Sequence, residues 1–257
     1  RVERVLDMGA LVADAVRAGG VDLRLGCAVQ GFEPGRVLTA DGPIEADLVV
    51  LGIGLRPNSE LAGAAGLELG ERGAIVVDDH QRTAADGVYA AGDCTASRHL
   101  VSGRPVYVAL GTVANRQGRV AGLNIGGVDA TFPGVLGSAV TRFEHAEVGQ
   151  TGLSEATAAA AGFDAVTARI ESSTRARYYP GAEPITVKLV AERGSGRLLG
   201  GQIVGGTGSA KRIDVIATAI TAGMTADDLA DADLSYAPPF SPVWDPVLIA
   251  ARHAARL

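Results

Sequence analysis

The chain has 257 residues, enough for one large domain or two ordinary ones, and 47% of them are hydrophobic, so it can build real cores. Its formal net charge of −6 disfavours a general nucleic-acid surface, and no apolar run reaches the roughly 18 residues a membrane-spanning helix needs. The two cysteines, Cys27 and Cys94, form no CxxC pair, no zinc pattern and no secreted disulfide framework, so no metal site is expected and a reducing, cytoplasmic setting is the default.

In chain order, Val5, Leu6, Leu11, Val12, Ala15 and Val16 recur at helical spacing, and Gly19-Gly20 ends that run. Residues 21–25 follow as a short strand. Residues 30–51 read as hairpin material: Arg36-Val37-Leu38-Thr39, a turn at Asp41-Gly42, then Ile44 and a buried strand over residues 48–51. That strand stops at Gly52 and Gly54 and turns through Pro57-Asn58. Residues 74–78 form another strand. Asp86-Gly87 is a tight turn into Val88-Tyr89-Ala90-Ala91, a β-rich run that ends at Gly92 and is followed at once by Asp93. A glycine after a strand lets a backbone pass close to a ligand because no Cβ intervenes. An acidic residue beside it can accept hydrogen bonds from ligand hydroxyls.

Residues 110–125 read as a helix with Val113, Val120 and Leu123 on one side. Beyond residue 128 the pattern changes. Strands are expected at 140–143, 166–170, 185–190 and 198–204, the last because GGQIVGG at 200–206 has the wrong spacing for a phosphate loop. Ser154 is a good N-cap for an alanine-rich helix, with Glu155 in its first turn. A helix over 210–222 places Ile213, Ile216, Ala217 and Ile220 on one face. Antiparallel strands followed by helices indicate an α+β unit. Two clusters fall on irregular segments, Arg177-Tyr178-Tyr179-Pro180-Gly181-Ala182 and YAPPFSPVWDP from Tyr236 to Pro246. Paired prolines continue neither a helix nor a central strand, so Tyr236, Phe240 and Trp244 are presented on a stiff loop. A rigid loop that fills a dimer contact is the other reading of the same residues.

The spaced pair LVVLGIGLRPN (48–58) and TAADGVYAAGD (83–93) resembles the C-terminal half of the flavin domain in the pyridine nucleotide-disulfide oxidoreductases. The resemblance implies an α/β plus α+β fold: C-terminal parts of two nucleotide-binding domains, 1–54 for NAD(P) and 55–127 for FAD, followed by an α+β dimerisation domain at 128–257. It implies FAD and NAD(P)H as cofactors. Asp93 would take a ribitol hydroxyl, Gly92 would lie near the phosphates, and the backbone at Leu110 and Gly111 would face the electron-rich edge of the flavin ring.

The YYPGA and YAPPFS clusters resemble those of coenzyme A-disulfide reductases, persulfide reductases and NADH oxidases. Glutathione reductase and lipoamide dehydrogenase carry a His-x-x-x-x-Glu pair instead. Here no Glu follows His253, which reads as a surface helix residue. By the same resemblance Tyr178 and Tyr236 assist thiol chemistry in the other subunit's site, with Tyr179 left as the alternative to Tyr178. Asn115, Arg116 and Trp244 would meet a small thiol or disulfide substrate such as coenzyme A, although Arg116 also reads as a solvated helix residue. A homodimer through 128–257 is implied.

The family's nucleophilic cysteine has no match here, since neither Cys27 nor Cys94 fits, and both GxGxxG loops are unmatched. With Arg1 as its first residue, the chain is expected to be a C-terminal portion, catalytically incomplete by itself. NADH against NADPH, and disulfide, persulfide, O2 or peroxide as acceptor, stay open, as does a non-catalytic dimerisation or binding piece. A ferredoxin reductase-type flavoprotein shares the Gly-Asp region but would not carry the YAPPFS loop.

Overall fold

The structure, a computed structural model, describes residues 6–257. Val5, assigned to the first helix by its spacing, lies outside the described residues. Helix α1 (Leu6–Ala18) carries Asp7 in its first turn and Arg17 in its last, the charge order that suits a helix dipole. It ends where Gly20 takes a positive φ of 81° and its N–H reaches the Arg17 carbonyl. Three short antiparallel strands follow, β1 (Val29–Glu33), β2 (Arg36–Thr39) and β3 (Gly42–Glu45), joined by two-residue turns. Gly35 supplies a positive φ inside the first turn, and Gly42 one at the start of β3.

Four expected strands form no ladder. Residues 21–25 and 48–51 carry none, and the second run is open to solvent: Leu48 is 82%, Val50 84% and Leu51 61% exposed. Its composition, apolar on both faces, is that of a strand enclosed in a parallel sheet. A strand exists only through its neighbours' hydrogen bonds, and none of the described residues supplies that edge. Residues 74–78 are likewise extended without a ladder. Ile75 makes single bridges to Leu69 and Thr95, and Tyr89 a single bridge to Arg82.

The middle of the chain is held by short elements: α2 (Glu60–Ala64), the two-stranded pair β4 (Ser97–Arg98) and β5 (Pro105–Val106), and the long α3 (Gly111–Ile125). Val113 and Val120 of α3 pack with Phe132 and Val135 into a small core.

The main core belongs to a five-stranded antiparallel sheet in the order β6-β7-β10-β9-β8. Its strands are β6 (Ala139–Phe143), β7 (Ala146–Gly152), β8 (Ala165–Ser173), β9 (Pro184–Glu192) and β10 (Leu198–Gly205), with α4 (Glu155–Ala161) between β7 and β8. Ser154 caps α4 by accepting from the Thr157 N–H at 3.2 Å. Helices α5 (Ile213–Thr221), α6 (Ala226–Ala230) and α7 (Pro246–Ala254) follow the sheet. Ile185, Val187, Leu189 and Ile203 are buried in one cluster with Ile213, Ile216, Leu229 and Val247. Each such side chain contributes about 1.5–3 kcal/mol by leaving water.

Strand β7 escapes a reading of the sequence because AEVGQTG looks like a loop. Its Gly149 has a packing reason: a Cβ there would lie 3.0 Å from the Ala210 carbonyl oxygen and 3.0 Å from the Ile213 side chain. The glycine lets the chain entering α5 cross directly over the sheet.

Helix α1 contacts β7 and β10. A buried ammonium fixes the helix to the sheet: Lys188 Nζ, on β9, donates to both Asp7 carboxylate oxygens at 3.1 and 3.2 Å and to Glu155 at 3.2 Å. Replacing Leu48, Val50 and Ile53 together by lysine is expected to lower binding of the dye 1-anilinonaphthalene-8-sulfonate while leaving unfolding stability within about 0.5 kcal/mol per site. An unchanged dye signal would mean that this run is covered in solution.

Candidate functional site

The turn at Gly92-Asp93 is built from inside. Gly92 has φ of 84°, and a Cβ on it would sit 3.5 Å from the Ala114 Cβ, so the turn rests on the first turn of α3. From the next turn of that helix, fully buried Gln117 reaches into the loop. Its side-chain carbonyl accepts from the Gly92 N–H at 2.9 Å, and its amide donates to the Ser97 hydroxyl at 3.0 Å. The Thr95 hydroxyl sits 3.0 Å from the same Gln117 oxygen and 2.9 Å from the Gly92 carbonyl, sharing one proton between them. With the glycine amide turned inward, the neighbouring Asp93 is left exposed.

Helix α3 begins at Leu110, an N-cap in extended conformation whose side chain offers no capping bond. The amides of Gly111 and Thr112 therefore have no partner a turn back, and this end of the helix carries partial positive charge. Asn115 is exposed but folds back, donating to the Gly111 carbonyl at 2.9 Å. The Arg116 guanidinium lies 5.0 Å above the Phe132 ring, a cation–π contact that aims it along the helix surface. Leu110, Thr112 and Arg116 line a groove of about 940 Å³, closed on the far side by Asp214, Thr218 and Thr221 of α5.

A second cavity of about 530 Å³ lies on the other side of Leu110, lined by His99, Tyr107, Val108 and Leu153. The Tyr107 hydroxyl is buried there without a hydrogen-bond partner among the described residues. His99 Nδ1 accepts the amides of Val101 and Ser102 at 3.2 and 3.4 Å, shaping the β4–β5 hairpin. Arg104 of the same hairpin donates to the carbonyls of Ala160 and Ala161 at 2.8 and 3.0 Å, at the C-terminal end of α4.

The tyrosine-bearing segments form a second group. Tyr178 and Tyr236 are 77% and 45% exposed and lie side by side. The neighbouring Tyr178 hydroxyl, more than burial, raises the Tyr236 hydroxyl above its ordinary pKa of 10.0. Their loops touch where the Ala176 N–H meets the Pro238 carbonyl at 3.3 Å. Between the two neighbouring tyrosines, it is Tyr178 that meets Tyr236. Trp244 is half exposed, and the Arg252 guanidinium of α7 stacks on it at 3.5 Å. His253 is exposed on the same helix, as the sequence indicates. Neither tyrosine lines the groove beside Arg116. The structure thus gathers Gly92, Asp93, Leu110, Gly111, Asn115 and Arg116 in one place, and Tyr178, Tyr236 and Trp244 in another. Cys94 is half-buried, its thiol 3.4 Å from the Ala91 carbonyl.

Sequence reading missed Gln117. It left a trace: it stands in the buried stripe Val113, Gln117, Val120, Ala121, Asn124, where a polar side chain needs partners.

Residues 1–118 match the pyridine nucleotide-disulphide oxidoreductase family, and residues 138–246 match that family's dimerisation domain. The chain belongs to this family. It is 47% identical over 217 residues to the NAD(P)H coenzyme A polysulfide/persulfide reductase of Pyrococcus horikoshii, which covers 84% of this chain and 48% of the relative. It is 37% identical over 254 residues to an NADH oxidase of Methanocaldococcus jannaschii, covering 97% and 56%. The solved structure of an NAD-dependent persulfide reductase from A. fulgidus superposes with a TM-score of 0.93 at 45% identity, over 97% of this chain and 47% of the other. The chain spans about half the length of the curated relatives it matches.

Gln117→Leu keeps the volume but leaves the Gly92 amide buried without an acceptor. It should cost about 2–4 kcal/mol of stability in denaturant unfolding and speed amide exchange at Gly92. A stability loss without faster exchange at Gly92 would count against the tether.

His99 gives a pH signature. Burial lowers its pKa below the ordinary 6.5, partly offset by a bond to the Leu136 backbone. The unfolded chain therefore takes up a proton that the folded chain refuses as pH falls below about 6.5, and stability drops until the folded imidazole also titrates. Between pH 8 and pH 5 the wild type should lose more stability than His99→Gln. Equal losses in the two proteins would remove His99 as the cause.

Proposed function

We propose that this chain supplies the rear of a flavin pocket and the dimer-forming part of an FAD-dependent NAD(P)H oxidoreductase that reduces a disulfide or persulfide of a small thiol such as coenzyme A. The observation that carries this reading is the Gly92-Asp93 turn seated on the first turn of α3 and tied there by Gln117. It places a bare backbone, an exposed carboxylate and unpaired helix amides side by side. That donor and acceptor set fits FAD: Asp93 would accept a ribitol hydroxyl, Gly92 would admit the phosphates, and the Leu110 and Gly111 amides would meet the ring's electron-rich edge. When bound, FAD carries reducing equivalents from NAD(P)H to sulfur.

In this reading residues 1–54 complete a nucleotide domain, 55–127 the flavin domain, and 128–257 a homodimer contact. Asn115 and Arg116 bind the substrate from the groove, the guanidinium pairing with its phosphates. The Tyr178–Tyr236 pair, remote from that groove in one subunit, serves the site of a second copy. A tyrosine hydroxyl held by its neighbour donates a proton to the departing thiolate. Trp244, with Arg252 stacked on one side, offers a flat surface to the same ligand. The nucleophilic sulfur comes from elsewhere than Cys27 or Cys94, both of which are free thiols. We place the enzyme in the reducing cytoplasm. No helix among the described residues is long and apolar enough to cross a membrane.

A second reading, an NADH oxidase, is favoured by the oxidase relative that covers 97% of this chain. One experiment separates them. The flavin-loaded protein containing this chain is assayed with coenzyme A disulfide, coenzyme A persulfide and O2, with and without Tyr236→Phe. The reductase reading expects the substitution to lower sulfur-substrate turnover about 10–100-fold and leave O2 consumption unchanged. Rapid O2 turnover with no sulfur activity would establish the oxidase. If the wild-type protein takes up no FAD, the dimerisation or binding reading stands instead.

A further inference from the structure

Arg212 ends the short 3-10 turn Ala210–Arg212, immediately ahead of α5, and only 12% of its side chain is exposed. Its guanidinium makes four hydrogen bonds. Nε donates to the Asp245 carboxylate at 3.1 Å, Nη1 to the Gly208 carbonyl at 2.9 Å, and Nη2 to the carbonyls of Thr174 and Phe240 at 2.7 Å each. Thr174 leads into the turn that carries Tyr178. Phe240 and Asp245 belong to the loop that carries Tyr236. Asp245 is anchored in turn: it accepts from the Val247 N–H at 2.9 Å as the N-cap of α7, and from the Ser241 hydroxyl at 3.1 Å.

The two tyrosine rings gain little from burial, so nothing in the core dictates where they stand. Their meeting depends on how two irregular loops are placed against each other. Among the described residues, the long Ala176–Pro238 bond aside, the shared guanidinium is the hydrogen-bonded link between those loops. A planar fork of donors can serve a carboxylate and carbonyls on two segments at once, whereas an ammonium on the same stem offers one point charge.

We infer that Arg212 is a positioning residue that clamps the two loops and thereby holds the Tyr178–Tyr236 pair in register. The inference rests on the proposed function for its catalytic meaning but not for its structural content. In the second copy's site the pair would approach sulfur only in the geometry this clamp sets.

Ultraviolet titration of tyrosine ionisation tests the clamp without turnover. Tyr178→Phe and Tyr236→Phe first assign the late-titrating hydroxyl. Arg212→Lys is then expected to move that titration down toward the ordinary tyrosine range, and adding Tyr178→Phe in the Arg212→Lys background should produce no further shift. Should Arg212→Lys unfold, Asp245→Asn keeps an N-cap acceptor for Val247 while removing the charge that holds Nε, and it should give a smaller shift in the same direction. A titration that stays high in both variants, or shifts that add to that of Tyr178→Phe, would overturn the clamp. If the shifts appear but Tyr236→Phe leaves sulfur turnover intact, the clamp stands and the catalytic reading falls. If turnover collapses in Tyr236→Phe while Arg212→Lys leaves the titration unmoved, only the clamp falls.

Discussion

A single uncharged amide, that of Gln117, has no exposure to water and spends its hydrogen bonds on one loop. Its oxygen takes the Gly92 amide and shares the Thr95 proton, and its nitrogen holds Ser97. Each bond contributes about 1 kcal/mol net, but any partner left buried and unmatched costs more than that. The loop therefore follows the helix as one body. The exposed carboxylate of Asp93 and the open N-terminus of α3 keep a fixed relation because both hang from this one side chain. Elsewhere the same device recurs. Asn124, the penultimate residue of α3, donates to the carbonyls of Val120 and Ala130 at 3.0 and 2.7 Å. Arg104 and Arg212 do with charge what Gln117 does without it. Irregular backbone dominates the first half of this chain, and buried polar side chains on helices and hairpins do the ordering that ladders do in the second half.

That division explains what could be read in advance. Strand β2 falls on Arg36–Thr39 as expected, because its turns carry their glycines in plain sight. Strand β8 announces itself by alternation, and β9 and β10 by nearly continuous burial, since helices cover both faces of the sheet there. Strand β7 stays hidden because Gly149 answers to a helix crossing that a local reading does not contain. Residues 48–51 show the opposite error. The composition is that of a strand, but local preference cannot supply a partner.

Site residues divide in the same way. Gly92 and Asp93 are legible because a left-handed glycine and a bare carboxylate leave a signature in the chain itself. Gln117 was legible in principle, as a polar residue inside an apolar stripe. Arg212 was not, because its four acceptors come from three separate segments and only folding assembles them. Which of the two adjacent tyrosines stands beside Tyr236 is likewise set by a turn, in which the Tyr179 N–H bonds the Ala176 carbonyl and Tyr178 is the neighbour of Tyr236.

Leu110 borders both the groove beside Arg116 and the cavity holding the Tyr107 hydroxyl. With Leu136 and Gly137, this side chain is a bulkhead between a wider groove and a smaller recess lined in part by Tyr107. Its bulk sets how the empty space near the start of α3 is shared out. Trimming that residue would widen the passage between the two compartments at the start of α3.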